Sequence, residues 1–411
     1  DRQHNSRVPQ PQRLGDFCVE TVAQQQAVLH FWLLVMVRRI ALQILAFMNR
    51  MVLWVLWVGA MSGCGPGLPA LQVEAGGGDE AAQVGVWLDS LHGAGLHAGA
   101  LVVMREGEVW GQWFHGVERS GGDPVSSASM FRLASVSKQF TAAGVLMAVG
   151  QGRIGLDDDI RVWLLECPYE GVTVRHLMQH VSGIPDFYMD LPIPERGFLG
   201  IADVLAALPD APPMERAVGE AFEYSNTGYV LLAGLLERVY GQPFEELMMA
   251  EVFGPAGLEC TRVWNLFSED KDWPHKTWSM EGVEPNAAQI NPTELDGVAG
   301  DGGVFMCAED VTRWNDWWSF HVTSILPDSI RTQAFQTGVL LDGSATNYGF
   351  GWSLPDTDHA AHSGAWLGAR TWWWRSLDGK DAVVVFNHTG SNPTDIGSEI
   401  AKQLRRESPS L

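Results

Sequence analysis

Where the strand signals fall is what constrains this chain most. Apolar runs at Ala98–Arg105 and Glu108–Val117, split by Glu106-Gly107, read as a hairpin early in the globular part. The next strand signals come only at the far end, at Tyr348–Leu354, Ala369–Arg375 and Asp381–Asn387, with an Asp378-Gly379 turn between the last two. Between the two groups helical spacing dominates, at Ser135–Gly150, Thr173–His180, Asp203–Leu208, Asn226–Tyr240, Phe244–Val252 and Ala308–Phe320. Helical segments also precede and follow, at Ala81–Leu91 and Asp395–Arg406. This predicts an α+β fold: one antiparallel sheet built from both chain ends, helices on its faces, and a mostly helical region, about 140–341, inserted between.

The first residues do not share this pattern. Residues 1–47, rich in Gln and Arg, read as an upstream segment, and Met48 as the better start. Met48-Asn49-Arg50, the apolar run Met51–Met61 and Ser62-Gly63 before Cys64 give the basic, apolar and small-residue order of a secretory signal over 48–63. Eleven apolar residues are too few to span a bilayer as a helix. Small residues directly before Cys64 resemble a bacterial lipoprotein cleavage site, which makes Cys64 the lipidation candidate and Gly76-Gly77-Gly78 part of a tether over 64–79. The expectation is export and lipid anchoring in the bacterial cell envelope, with a catalytic-type domain over 80–406. The five cysteines (18, 64, 167, 260, 307) form no CxxC pair, so neither a disulfide framework nor a Cys-rich zinc site is indicated; a single bridge among Cys167, Cys260 and Cys307 is left open.

With 411 residues, 46% hydrophobic and 18% charged, the chain is not a disordered one. Its net charge of −22 argues against nucleic acid and against docking on anionic lipid by charge alone, so contact with a membrane is expected only through the lipid anchor. The basic residues are lopsided, 22 Arg to 5 Lys, and Lys138 is the only lysine in the first 270 residues. Arginine serves equally well for surface charge; only lysine changes its protonation readily when buried.

Three short constellations carry chemistry. In Ser135-Val136-Ser137-Lys138, at the start of an apolar helix, the hydroxyl and the amine lie one turn apart on one face. A serine hydroxyl is a weak nucleophile until a neighbouring base takes its proton, and the lysine is the partner such a role needs. Tyr224-Ser225-Asn226 opens the helix ending near Tyr240 and offers a phenol as general base and an amide to hydrogen-bond the lysine. His362-Ser363-Gly364 precedes a strand; glycine allows close approach to an edge strand, and a strand N–H there can complete an oxyanion hole. Each alone is weak: a capped helix, a core tyrosine and a turn account for them separately.

In order, SxxK, YxN and HxG resemble the serine β-lactamase and penicillin-binding protein superfamily, whose signature is SxxK, SDN and KTG; the tyrosine variant is class C-like. Phe131-Arg132-Leu133-Ala134, the segment Val172–Pro185 and Gly300-Asp301-Gly302-Gly303 with Ala308-Glu309-Asp310 also resemble that superfamily, over roughly 80–405. By this resemblance Ser135 is the acylated nucleophile, Lys138 and Tyr224 form the base system, and Asn226 positions lysine and substrate. The N–H groups of Ser135 and Ala365 form the oxyanion hole, and His362, Ser363 and Gly364 face the substrate. The implied activity is a serine hydrolase acting on an ester or amide, with a small-molecule or peptidoglycan-like acyl donor and no cofactor. A slow penicillin-binding sensor and an acyltransferase share the same acyl-enzyme. Histidine replaces the lysine of the third motif at His362, which resembles the superfamily's esterases and D-amino acid peptidases rather than an efficient β-lactamase.

Other features have simpler readings. His176 and His180 have the i, i+4 spacing of zinc ligands but no evident third ligand. Asp157-Asp158-Asp159 lacks the alternation of a calcium loop and reads as a cap or turn. Trp372-Trp373-Trp374 alternates across a strand and reads as core packing.

Overall fold

A computed structural model describes residues 80–407 together with Leu68 and Leu71, except 189, 194–196, 268–271, 284–286 and 320–325. The upstream segment 1–47, the signal 48–63, Cys64 and nearly all of the tether therefore lie outside the described residues. The helices are α1 (Glu80–Gly93), α2 (Lys138–Gly150), α3 (Val174–Met178), α4 (Ile201–Ala207), α5 (Asn226–Tyr240), α6 (Phe244–Met248), α7 (Val311–Trp317), α8 (Asp328–Arg331) and α9 (Pro393–Glu407). Among the described residues no helix is long and apolar enough to cross a membrane.

The main sheet is five-stranded and antiparallel, in the order β2-β1-β10-β9-β8. Its strands are β1 (Gly99–Arg105) and β2 (Glu108–His115) from one chain end, with β8 (His359–Trp366), β9 (Ala369–Ser376) and β10 (Ala382–Asn387) from the other. Both ends do build one sheet, and β10 pairs directly with β1, Gly99 opposite Asn387. Glu106 and Gly107 both take positive φ, as a tight hairpin between right-twisted strands requires.

Each face of the sheet is covered. Val84, Trp87, Leu88 and Leu91 of α1 and Ile396, Ile400 and Leu404 of α9 pack on Leu101, Val103, Trp372, Trp374, Val383 and Val385. The opposite residues Ala100, Val102, Trp373, Val384 and Phe386 face the larger core around α2 and α5. The three tryptophans thus divide between the faces by the strand's period of two, and all three are buried.

Helix α2 is buried without interruption from Lys138 to Ala148. A helix with no solvent face has to be enclosed on every side, and α5, the turn Met249–Phe253 and α8 pack against it. Two small sheets complete the fold: β3 (Phe131–Arg132), just ahead of the inserted region, pairs with β7 (Val304–Met306), which pairs with β4 (Arg262–Val263), and β5 (Met280–Glu281) pairs with β6 (Ala288–Gln289).

Three expectations need correction. Tyr348–Leu354 is no strand but a folded segment with isolated bridges from Tyr348 to Ser353 and from Ser353 to Ala361. It passes so close to the start of α2 that a Cβ on Gly351, at φ +73°, would sit 2.8 Å from the Gln139 and Lys138 backbone. His362-Ser363-Gly364 lies within an eight-residue edge strand, β8, rather than ahead of one. The nucleophile turn is a separate 3₁₀ turn, Ala134–Ser137, before the α-helix.

The open cysteine question resolves to Cys260–Cys307, with Cys167 buried as a thiol. This bridge closes a sequence separation of 47 residues. Cys307→Ser should lower stability by about 2–4 kcal/mol, read by guanidinium unfolding without reductant. The same loss should appear in the unmutated protein once dithiothreitol is added. Equal midpoints with and without reductant would show that the bridge contributes nothing.

Candidate active site

The turn that carries Ser135 is held under constraint. Ala134 takes φ +48°, rare for a residue with a Cβ. Around it the backbone is pinned: Thr371 Oγ1 donates to Leu133 O at 2.7 Å, Leu133 N–H donates to Val304 O at 2.8 Å, and Ser137 Oγ accepts from Val304 N–H at 3.1 Å. Strands β7 and β9 thereby grip the turn from two sides and fix where the hydroxyl points.

Lys138 is fully buried, and an ammonium removed from water requires hydrogen-bond partners for its three donors. It has three: Asn226 Oδ1 at 2.9 Å, the Asp301 carbonyl at 2.9 Å and Ser135 Oγ at 3.3 Å. The same Nζ lies 4.8 Å from the Tyr224 ring centroid and 5.6 Å from that of Tyr229. Asp301 reaches it because Gly300 and Gly303 adopt φ of +104° and +92°, and at Gly300 a Cβ would lie 2.6 Å from the Tyr229 carbonyl.

Tyr224 and Asn226 enter from the start of α5. Ser225 caps this helix by accepting from Gly228 N–H, so it serves the helix while its two neighbours face the lysine. The Tyr224 hydroxyl is buried and has no hydrogen-bond partner, an arrangement suited to meeting a reacting group. Its ring lies 4.3 Å from the ring of His180, centroid to centroid. His180, at φ +57° just past α3, accepts from Ser225 N–H through Nδ1, while its carbonyl accepts from Glu223 N–H. It therefore fixes the backbone on both sides of Tyr224. Burial, with Lys138 and His362 nearby, pushes its pKa well below the ordinary imidazole value and keeps it neutral.

This disposes of the zinc spacing. His176 pairs with Thr173 in a cap at the start of α3, whereas His180 is turned into the site. Asp157 pairs with Arg175, Asp158 accepts from Gly155 N–H and Asp159 caps a short turn, as a non-metal reading expects. Elsewhere, Asp310 lies beside Cys260 and Cys307, whose sulfurs are joined to each other.

Strand β8 closes the site. A Cβ on Gly364 would lie 2.3 Å from Leu133 O, 2.4 Å from Thr371 Oγ1 and 3.1 Å from Ser135 N, so only glycine lets this edge meet the nucleophile turn. Ala361 exchanges hydrogen bonds with Ser353, away from β9. By the alternation of antiparallel pairing, Ser363 and Ala365 also turn their backbone groups to the free edge. Ala365 N–H is thus placed on the side where a second donor to an oxyanion belongs. His362 sits one residue off that register, with Nε2 2.8 Å from Tyr348 Oη and Nδ1 2.7 Å from Ser363 O. A carbonyl can only accept, so Nδ1 carries the proton and Nε2 accepts from the tyrosine. Burial and then Lys138 press the His362 pKa down to about 3, so the ring is neutral at pH 7.

Asp186 and Tyr188 form the remaining wall. The Asp186 carboxylate accepts from the Asn226 N–H at 2.8 Å, at the N-terminal end of α5, and burial raises its pKa to about 6. Tyr188 Oη donates to Asp301 Oδ2 at 3.2 Å. His180, Asp186, Tyr188, Tyr348 and the Asp301 carbonyl are site residues that sequence reasoning did not assign roles; the last had a motif around it but no residue-type signal.

Comparison with known proteins converges on one group. A family model described as Beta-lactamase matches residues 87–405. A penicillin-binding protein of Bacillus subtilis is 31% identical over 287 residues, 64% of this chain and 62% of the relative. A D-aminopeptidase of Gluconobacter oxydans is 26% identical over 307 residues, 71% of this chain and 55% of the relative. The chain thus spans 55–62% of the length of these relatives. A penicillin-binding protein structure from Bacillus halodurans superposes with TM-score 0.66 at 22% identity, covering 77% of this chain and 98% of that one. A D-amino acid amidase from Ochrobactrum anthropi SV3 does so at 0.64 and 19%, covering 80% and 98%.

The buried neutral His362 carries a pH signature. The unfolded chain takes up its proton near pH 6.5, while the folded site resists until about pH 3. Its stability contribution is therefore complete above pH 6.5 and is lost as pH falls towards 3. Between about pH 7.5 and 5.5, His362→Gln should lose about 1 kcal/mol less unfolding free energy than the unmutated chain. Identical losses in urea unfolding would refute this.

Proposed function

Since the chain belongs to the β-lactamase family, we propose that it is a serine hydrolase that forms an acyl-enzyme on Ser135. The arrangement of Ser135, Asn226 and the Asp301 carbonyl around the buried Lys138, beside an unpartnered Tyr224 hydroxyl, carries this reading. In it, Ser135 Oγ attacks an ester or amide carbonyl while its proton passes to Tyr224 Oη, which enters the step as a phenolate beside the Lys138 ammonium. Ser135 and Ala365 N–H groups stabilise the developing oxyanion. The carbon–leaving-group bond breaks, and the proton goes from the pair to the departing oxygen or nitrogen. Water then attacks the acyl-enzyme, gives its proton to the same pair, and the Oγ–acyl bond breaks with the proton returned to Oγ. Asn226 keeps the lysine in place throughout.

The nature of His362 narrows the acyl donor. A neutral imidazole held by Tyr348 offers no positive charge to a carboxylate at β8, unlike a lysine. We therefore favour an ester or short amide that brings no carboxylate there, with D-amino acyl amides first, in keeping with the aminopeptidase relatives. Efficient β-lactam turnover is not expected. Export and lipid anchoring at Cys64 is part of the same reading, supported by the order of residues 48–64 and by the Cys260–Cys307 disulfide, a bond that suits an oxidising compartment.

Intact-mass measurements with p-nitrophenyl acetate, D-alanine p-nitroanilide and a fluorescent penicillin test the chemistry. Turnover of the ester or anilide, abolished in Ser135→Ala, is expected. A stable penicillin adduct with no turnover of any substrate would instead indicate a sensor. Acyl transfer to an added amine in preference to water would indicate a transferase. Gly364→Ala should slow acylation on the order of 10²-fold by forcing β8 off the turn, and unchanged acylation would remove β8 from the mechanism. If Cys64 is the anchor, Cys64→Ser should abolish incorporation of labelled palmitate; retained label would place the lipid elsewhere.

A further inference from the structure

The proton path through Tyr224 fixes where each part of a substrate lies. A carbonyl carbon attacked by Ser135 Oγ carries three other substituents: the oxyanion, the leaving group and the retained acyl chain. The oxyanion belongs at the Ser135 and Ala365 N–H groups. The leaving group takes its proton from Tyr224, whose ring has those of Tyr348 and His362 as neighbours, each 6.3 Å away centroid to centroid. The acyl chain is therefore directed away from that side, past Ala365 to the end of β8. Trp366 stands there, its ring centroid 5.9 Å from that of Tyr188. Tyr188 Oη in turn donates to the Asp301 carboxylate.

Asp186 belongs to this side of the site. Its Oδ2 accepts from Asn226 N–H at 2.8 Å, and the Asn226 side chain holds Lys138. Its Oδ1 accepts from Tyr188 N–H at 3.0 Å. Two backbone donors thus fix the carboxylate and leave each oxygen a further lone pair. No lysine, arginine or histidine among the described residues is within ion-pair distance of it. Lys138 is spent on Ser135, Asn226 and the Asp301 carbonyl, and Arg132 pairs with Asp296. A carboxylate so poorly hydrated is seldom left without a cation. Asp186 nevertheless keeps part of its surface open, so a counter-charge can arrive from outside. Burial, reinforced by Asp301, raises its pKa to about 6, and a bound cation would lower it again.

We propose that Asp186 is the counter-ion for a free ammonium group on the α-carbon of the acyl donor, with the Asp301 carboxylate adding negative potential beyond Tyr188. This rests on the Ser135 acyl-enzyme reading and deepens it. The favoured donor is an α-amino acyl amide or ester whose amine is unblocked, and N-acylated donors are selected against. Charge is thereby divided along the cleft. At one end neutral His362 offers nothing to a carboxylate on the leaving group; at the other Asp186 requires a cation on the acyl group. The two carboxylates also offset the repulsion that Lys138 exerts on an arriving ammonium.

Ser135→Ala in the full-length chain removes the nucleophile, so ligands are held without being turned over. Calorimetry on this variant with D-phenylalaninamide and with 3-phenylpropanamide, the same molecule without its amine, reads the ammonium alone. The aminated ligand is expected to bind about 10–100-fold more tightly, and adding Asp186→Asn should remove most of that difference. Equal affinities, no binding of D-phenylalaninamide at millimolar concentration, or a preference that Asp186→Asn leaves intact would overturn the proposal. With Ser135 present, the ratio of kcat/KM for D-alanine p-nitroanilide to that for propionyl p-nitroanilide should fall by a similar factor in Asp186→Asn; an unchanged ratio counts against the assignment. The binding comparison needs no catalysis. Absent turnover therefore sinks the hydrolase reading, whereas absent amine preference sinks only the role of Asp186.

Discussion

Burial of one positive charge organises the centre of this protein. Lys138 lies where water does not reach, and a charge in that position is tolerated only if every donor is met. One acceptor comes from the turn just before the lysine, and two come from distant parts of the chain: the first residue of α5 and a glycine-flanked carbonyl in the Gly300–Gly303 loop. The lysine therefore dictates that these segments converge. It explains why α2 is enclosed on all sides, and why Thr141 Oγ1 donates to the Gly300 carbonyl one turn along the same helix. The chemistry and the packing of the inserted region are two consequences of the same desolvated amine.

What the sequence revealed and what it hid divide along physical lines. Ser135, Lys138, Tyr224 and Asn226 were legible because each role depends on a side-chain type at a local spacing, and α5 runs from Asn226 to Tyr240 as its apolar pattern predicts. Strands β1, β2, β9 and β10 were legible as apolar runs set off by turn residues. The Asp301 carbonyl was not, since any residue supplies a carbonyl and only the positive φ of its glycine neighbours aims it. His180 resembled a helical zinc ligand until the left-handed turn at that residue sent it into the site. Tyr348–Leu354 has a strand's composition, but its glycines serve close approach, Gly351 to α2 and Gly349 to the Ala334 carbonyl, rather than pairing. The Cys260–Cys307 bridge exists only through tertiary contact, which no local spacing encodes.

The neutral state of His362 and the unpartnered hydroxyl of Tyr224 illustrate a division of labour inside one pocket. Burial affects both, yet His362 is saturated by Tyr348 and the Ser363 carbonyl and so is a fixed wall. Tyr224 is held in place through its backbone and ring, with its hydroxyl left open. Rigid support of the phenol combined with an unsatisfied oxygen is what separates Tyr224 from a tyrosine such as Tyr229, whose hydroxyl donates to the Met178 carbonyl.

The sheet shared by both chain ends has a consequence in time as well as in space. Strand β1 finds its partner β10 only after the whole helical region has been made. Until then the early hairpin waits with one edge unpaired, and the barrier to closing so distant a contact makes the final assembly slow. During synthesis Ser135 leaves the ribosome long before β7 and β9, which pin its turn, and β8, which carries the Ala365 N–H. A nascent or truncated chain thus holds the nucleophile without the groove edge that would orient a substrate beside it. Completion of the C-terminal strands is, in effect, the step that assembles the site.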